Sequence, residues 1–272
     1  MLHTALSHLI NLQRNKRNFR RNQLARNERV LVLGIYLANK KNTVKHLVRV
    51  FSKSRHYNID QRWIALNGKP PSAKVSAVTH IQVEGVVPKF ALINRLLSQV
   101  NLNDYSFVLV CDDDITVPEG FINQFLEQQT RYDFALAQPA RTHNSYLDHS
   151  IVEVVDDLAA RQTRFVEIGP IFSVRHDAFS VLLPFDEQAP MGWGLDFVWP
   201  VILESAGLKM GIVDAVLADH SLRKPFTQYD GNKTLNEMQL FLQDRPHLEP
   251  HEAFVVLNEF RDTLRRVNKP SL

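Results

Sequence analysis

From residue 29 onward, hydrophobic and polar positions fall into blocks whose periods alternate. Residues 30–36 form a continuous apolar run of strand length, and residues 43–51 carry Val44, Leu47, Val48 and Phe51 at helical spacing. Residues 63–66 followed by Asn67-Gly68-Lys69-Pro70-Pro71 predict a second strand and a turn, and residues 77–83 a third strand. Leu92, Ile93, Leu96 and Leu97 share one face of a helix predicted over 89–100. Residues 106–111 then predict a strongly apolar strand that ends in Asp112-Asp113-Asp114. Pro118, with Glu119 beside it, predicts a helix starting at that proline and running to Gln129. Helical periodicity returns over 235–242 and 253–267 and predicts a helical C-terminal extension. Buried strands alternating with helices imply an α/β chain with a mostly parallel, doubly wound central sheet, whose ligands lie beyond the carboxyl ends of the strands. The expected organisation is a basic segment over 1–28, a main domain over 29–230 and the extension over 231–272.

Composition narrows the class. With 272 residues, 44% hydrophobic and 22% charged, the chain is neither collagen-like, nor a coiled-coil rod, nor disordered throughout. Its one cysteine, Cys111, has no internal partner for a disulfide, and no Cys/His spacing fits a zinc finger, so a reducing compartment is expected. No run approaches the ~18–20 apolar residues of a membrane span. The first residues place their basic groups after the apolar ones, opposite to a secretion signal. The expected location is cytoplasmic.

The net charge of +3 changes meaning once divided along the chain, because residues 1–29 hold a local +6 and the remainder is mildly acidic at −3. A basic tail on an acidic body speaks against a nucleic-acid groove in the fold. Leu2, Ala5, Leu6, Leu9, Ile10 and Leu12 fall close to a helical stripe ahead of the basic run. That stripe could rest on anionic lipid as a peripheral membrane contact, or be a first helix packed on the domain and followed by a solvated linker.

Three successive carboxylates at a strand end repel one another unless a cation is present. A divalent metal, Mg2+ or Mn2+, removes the conflict by taking one or two carboxylates and completing its shell with phosphate oxygens. The plainer alternative is that the aspartates cap the turn before the next helix.

Two families carry acidic motifs of this kind. Asp112-Asp113-Asp114-Ile115-Thr116 matches the Asp-x-Asp-x-Thr motif of the haloacid-dehalogenase-like phosphatases, a resemblance that implies Asp112 as nucleophile and Asp114 as acid/base. That motif usually sits on the first strand of its fold, whereas at least two strands precede it here, and no Gly-Asp follows residue 114. The second resemblance, covering roughly residues 30–225, is to nucleotide-sugar glycosyltransferases of the GT-A fold. The stretch from Gly85 through Lys89 and Ala91 to Asn94 resembles the Gly…Lys…Ala…Asn segment preceding the Asp-x-Asp strand in family-2-like members, and Val117-Pro118-Glu119-Gly120-Phe121 resembles the helix start that follows it. Met191-Gly192-Trp193-Gly194-Leu195-Asp196 is similar to the Gly-Trp-Gly…acid motif of the β-1,4-galactosyltransferases. The same Gly-Trp-Gly-Leu-Asp run occurs in an uncharacterised plant and bacterial family, which residues 165–173 and 213–220 also resemble.

The GT-A resemblance implies a metal-dependent transfer of sugar from a nucleoside diphosphate donor, a UDP-sugar foremost, to a carbohydrate or glycolipid acceptor. It implies Asp112, Asp114 and His220 around the metal, Lys89, Asn94, Asp112 and Asp113 on the donor, and Glu167 and Trp193 toward the acceptor. Asp196 is the implied general base of an inverting reaction. Leu217 stands where the galactosyltransferases have a methionine ligand. Read as residues alone, His220 could equally be a surface histidine, Asp196 a helix cap beside a buried Trp193, and Glu167 a partner for a backbone amide. Arg223 and Lys224 could meet a diphosphate or simply face water. A non-catalytic nucleotide- or carbohydrate-binding protein of the same fold is the remaining alternative.

Overall fold

The computed structural model describes residues 28–189, 191–224 and 231–261. The basic N-terminal segment expected at a membrane surface lies outside the described residues, as does the part of the expected C-terminal helix beyond residue 261.

The order is β1 (Arg29–Leu37), α1 (Val44–Phe51), β2 (Asn58–Leu66), α2 (Ala73–Ser76), β3 (Thr79–Val83), α3 (Lys89–Leu97), β4 (Phe107–Cys111) and α4 (Phe121–Arg131). There follow β5 (Phe134–Arg141), β6 (Leu158–Thr163), β7 (Ile171–Arg175), α5 (Phe179–Leu182), α6 (Leu195–Ser205), β8 (Lys209–Ala218), α7 (Gly231–Gln243), α8 (Pro250–Ala253) and β9 (Val256–Arg261). Among the described residues these nine strands make one sheet in the order β3-β2-β1-β4-β7-β5-β8-β6-β9. Strands β3, β2, β1 and β4 are parallel, as are β5 and β8, while β7 and β6 run against both of their neighbours. The sheet is thus mostly parallel, as the alternating pattern implied.

The apolar runs are continuous because both faces are covered. On β1, Leu31, Leu33 and Ile35 point into one core, which also holds Val108 and Val110 of β4 and residues of α3 and α6. Val30, Val32 and Tyr36, with Phe107, Leu109 and Cys111, point into the opposite core against α1 and α4. Gly34 interrupts that second set because a Cβ there would collide with the Trp63 indole.

Two expectations need correcting. The helix after the triplet begins at Phe121 rather than Pro118, since Gly120 sits at φ +76° and Thr116 is engaged in a bridge to Asp219. The helix expected over 253–267 gives way to α8 and then β9, which pairs antiparallel with β6 and adds an edge strand to the sheet. Phe260, spaced four residues from Val256 as on a helix, instead packs its ring 4.5 Å from that of Tyr132. Among the described residues, no helix is long and apolar enough to cross a membrane.

Candidate active site

The acidic triplet leaves the carboxyl end of β4 and lines a cavity of about 730 Å³. Chain topology brings distant segments onto it. Thr116 and Asp219 exchange backbone hydrogen bonds of 2.9 Å in an isolated antiparallel bridge. That bridge carries His220 to the triplet, and its Nε2 stands 3.5 Å from Asp114 Oδ1. The His220 backbone is held in turn by Ser145 Oγ, which accepts from His220 N at 2.9 Å.

The three aspartates have different surroundings. Asp112 accepts a 2.7 Å hydrogen bond from Lys89 Nζ, which also donates to the Ile168 carbonyl. Burial pushes the Asp112 carboxyl up, opposed by Lys89. Gly169 closes over this pair, and a Cβ there would come within 2.8 Å of Asp112 Oδ2. Asp113 is buried, with its carboxylate accepting from Leu37 N at 2.6 Å and from Arg223 Nη2. Its carbonyl accepts from both the N–H and the hydroxyl of Thr43. Asp113 therefore ties β1, α1 and Arg223 together. Asp114 has Arg223 Nη2 3.1 Å from Oδ2, while Oδ1 is buried without a hydrogen-bond partner. Burial acts to raise its pKa, yet His220 and Arg223 outweigh burial and bring it down to about 2.

Asp196 lies at the start of α6 and is 6% exposed. Its Oδ1 is also without a hydrogen-bond partner. Burial raises its pKa to about 7, against a lowering by His149, and the Glu167 charge adds to the rise. Glu167 is held on three sides: Arg141 Nη2 donates to Oε2 at 2.9 Å, His149 Nδ1 lies 3.1 Å from Oε1, and the Glu167 N–H donates to Gln138 Oε1. Despite the cost of its burial, this contact raises the His149 pKa. Trp193 lines the same cavity, half-buried between two glycines. Those glycines answer to packing and backbone conformation. Gly192 and Gly194 sit at φ +89° and +95°, and a Cβ on Gly192 would run into the Phe90 ring.

Lys89, Asp112, Asp113, Asp114, Glu167, Trp193, Asp196 and His220 all line the one cavity, together with Arg223 and Lys224. Asn94 stands apart from it. Its amide donates to the Phe185 carbonyl and to Glu187 Oε1, and its oxygen accepts from Phe185 N. Its side chain thus clamps α3 to the chain ahead of α6 and is not free for a donor. Sequence reasoning missed His149, on the cavity wall, and the buried Arg141 behind Glu167. Both flank a segment without hydrophobic period, which left no signal to find them by.

Among the described residues, no group of three or more His, Cys, Asp or Glu is placed to hold a metal ion. The unpartnered Asp114 Oδ1 facing His220 nonetheless fits a divalent ion that takes two protein ligands and completes its shell from phosphate and water.

No protein-family model matches the chain, and no curated protein matches it in sequence. Its structure is similar to GalNAc-T7 solved with UDP, GalNAc and Mn2+, at a TM-score of 0.56 and 9% identity over 78% of this chain and 48% of the other. The chain thus spans about half the length of that protein. Two structures of TarS from S. aureus match at 10% identity over 83% of this chain. The one in complex with UDP-GlcNAc has a TM-score of 0.48 over 69% of its own length, the other 0.49 over 41%, and neither score bears weight. The likeness is one of fold, and the fold is the GT-A type.

Proposed function

We propose that the chain is a metal-dependent glycosyltransferase that moves a sugar from a nucleoside diphosphate sugar, a UDP-sugar foremost, to a hydroxyl of a carbohydrate or glycolipid acceptor with inversion. One observation carries this reading: two buried carboxylate oxygens without hydrogen-bond partners, of Asp114 and Asp196, belong to the wall of one cavity, the first beside His220 and Arg223 and the second close in sequence to Trp193. The fold neighbour GalNAc-T7 was solved with the nucleotide, sugar and cation that this reading requires.

Asp114 and His220 would hold the divalent ion, with Asp112 at its water shell or at the donor ribose. Such an ion, when bound, neutralises charge developing on the leaving diphosphate. Lys89, Arg223 and Lys224 place further positive charge along the same wall. Asp113 acts through Arg223 as a positioning residue. The Trp193 indole offers a face for the C–H surface of a sugar, and Glu167, fixed by Arg141 and His149, meets acceptor hydroxyls. In the transfer, the acceptor oxygen bonds to the anomeric carbon while the bond to diphosphate breaks and its electron pair leaves with the phosphate. The hydroxyl proton passes to Asp196, whose pKa of about 7 suits a general base at neutral pH.

Calorimetric titration of UDP, GDP and CDP, with and without Mn2+, tests the donor site. UDP is expected to bind in a metal-dependent manner, weakened in Asp114→Ala and His220→Ala. Absence of nucleotide binding, together with phosphomonoester hydrolysis that Asp112→Asn abolishes, would overturn the reading in favour of a phosphatase.

A further inference from the structure

Large apolar side chains that remain exposed are normally scattered, and their clustering at a cavity marks a binding surface. Three of them, Tyr146 at 37%, Leu235 at 41% and Phe254 at 37% exposure, belong to the wall of the cavity that holds Asp196. Leu235 and Phe254 are fixed close to that carboxylate from two directions, while Tyr146 is held at His220, its N–H donating to the His220 carbonyl at 3.0 Å. Phe254 packs its ring 6.0 Å from that of Phe197, the neighbour of Asp196, and 5.0 Å from the ring of His149. Leu235 belongs to α7, where Met238, one turn on and also on the cavity wall, packs so closely over Gly194 that a Cβ there would lie 3.2 Å from Met238 Cγ.

A free sugar is hydroxylated all round, and its hydroxyls lose hydrogen bonds against leucine and phenylalanine. An acceptor with one hydroxyl for Asp196 and an apolar group beyond it loses nothing there and covers apolar surface. We propose that the acceptor carries an apolar aglycone and that Leu235 and Phe254 hold it. The inference rests on the glycosyltransferase reading and adds the acceptor's chemical class.

The test uses the full chain with UDP and Mn2+ present, titrated with methyl, butyl and octyl β-glucosides below their micelle concentrations. The slope with chain length is the readout, so the choice of sugar is immaterial. Affinity is expected to rise by on the order of threefold per added methylene while the chain still meets the rim. Leu235→Ser should weaken octyl glucoside by about tenfold, the equivalent of some two lost methylenes, and leave methyl glucoside unchanged. Phe254 packs against three rings, so Leu235→Ser, at an exposed position, keeps the test clear of folding. Leu240→Ser is the control, being 64% exposed on the same helix and absent from the cavity wall. Equal affinity for all three glucosides, or equal losses in Leu235→Ser and Leu240→Ser, would overturn the proposal, the latter as plain surface adsorption. So would a self-association that Leu235→Ser abolishes while octyl glucoside does not bind, because a second copy would then be the occupant. If none of UDP, GDP and CDP binds and phosphomonoesters are hydrolysed instead, the glycosyltransferase reading falls, independently of the slope. Sedimentation with phosphatidylcholine vesicles, plain or doped with a glucosyl diacylglycerol, separates the sources: retention by doped vesicles alone assigns a membrane glycolipid, and no retention with a positive slope assigns a soluble glycoside.

Discussion

Asp114 is half-buried and Asp196 buried, each has one buried carboxylate oxygen without a hydrogen-bond partner, and both line the same cavity, yet their acidities lie far apart. Burial pushes each of them up. At Asp114 the neighbours His220 and Arg223 overcome it and bring the pKa down to about 2, whereas at Asp196 the lowering by His149 is too small, Glu167 adds to the rise, and the pKa stays at about 7. The neighbours decide what the same side chain can do. A carboxylate ionised at every physiological pH suits a cation ligand, and one poised near neutrality suits proton transfer.

Exchanging the charge at each site is the most forceful way to break this comparison. Asp196→Asn is expected to lower kcat by on the order of a thousandfold while leaving metal-dependent UDP affinity intact. Asp114→Ala is expected to do the reverse to binding, abolishing the Mn2+ dependence of UDP affinity in calorimetry. A loss of UDP binding in Asp196→Asn would merge the two roles and end the distinction. The pH profile sharpens it further. Because Asp196 must be ionised to accept a proton, kcat/KM should fall about tenfold per unit below pH 7, and a flat profile down to pH 5 would remove Asp196 as the base.

A smaller effect probes the cation on the Asp114 side. Arg223→Gln leaves the buried Asp113 carboxylate with the Leu37 N–H but without its guanidinium. Breaking a buried pair in this way costs about 3 kcal/mol, measurable by urea unfolding. An unchanged midpoint would show that Arg223 does not hold the triplet in place.

The sequence was legible where one physical demand dominates. Runs buried on both faces announced β1 and β4, and three like charges at a strand end announced a need for counter-charge, which Lys89 meets at Asp112 and Arg223 at Asp113 and Asp114. It was illegible where two demands share one residue type. Asn94 follows the motif of a donor-binding amide, but its position on α3 turns it toward Phe185 and Glu187. Gly192 and Gly194 look like glycines that admit a sugar, while their positive φ and the Phe90 ring already account for Gly192 and contacts with α7 bear on Gly194. Residues 256–261 satisfy a helical spacing by accident of Val256 and Phe260. The open edge of β6 and the Tyr132 ring decide for a strand, and neither is visible locally. Arg141 and His149 gain meaning only through Glu167, respectively 26 and 18 residues away.

The subtlest consequence of the comparison is a pair of opposite pH slopes in stability, read in metal-free buffer. The Asp196 pKa of about 7 lies above the ordinary carboxylate value of ~3.9, so the unfolded chain gives up this proton first. The stability contributed by the neutral acid is complete below pH ~4 and is lost as pH rises toward 7 and beyond. Asparagine has no charge to bury, so the Tm of Asp196→Asn relative to the parent should climb between pH 4 and 7 and level off above, by a few degrees. Asp114 has the contrary sign. Its pKa of about 2 makes the ionised form stabilising above pH ~4, a contribution that fades as pH falls through 2. Asp114→Asn should therefore cost stability at neutral pH and less and less toward acid. Parallel slopes in the two variants would mean that burial alone governs both carboxylates and that His220 and Arg223 do not set Asp114 apart.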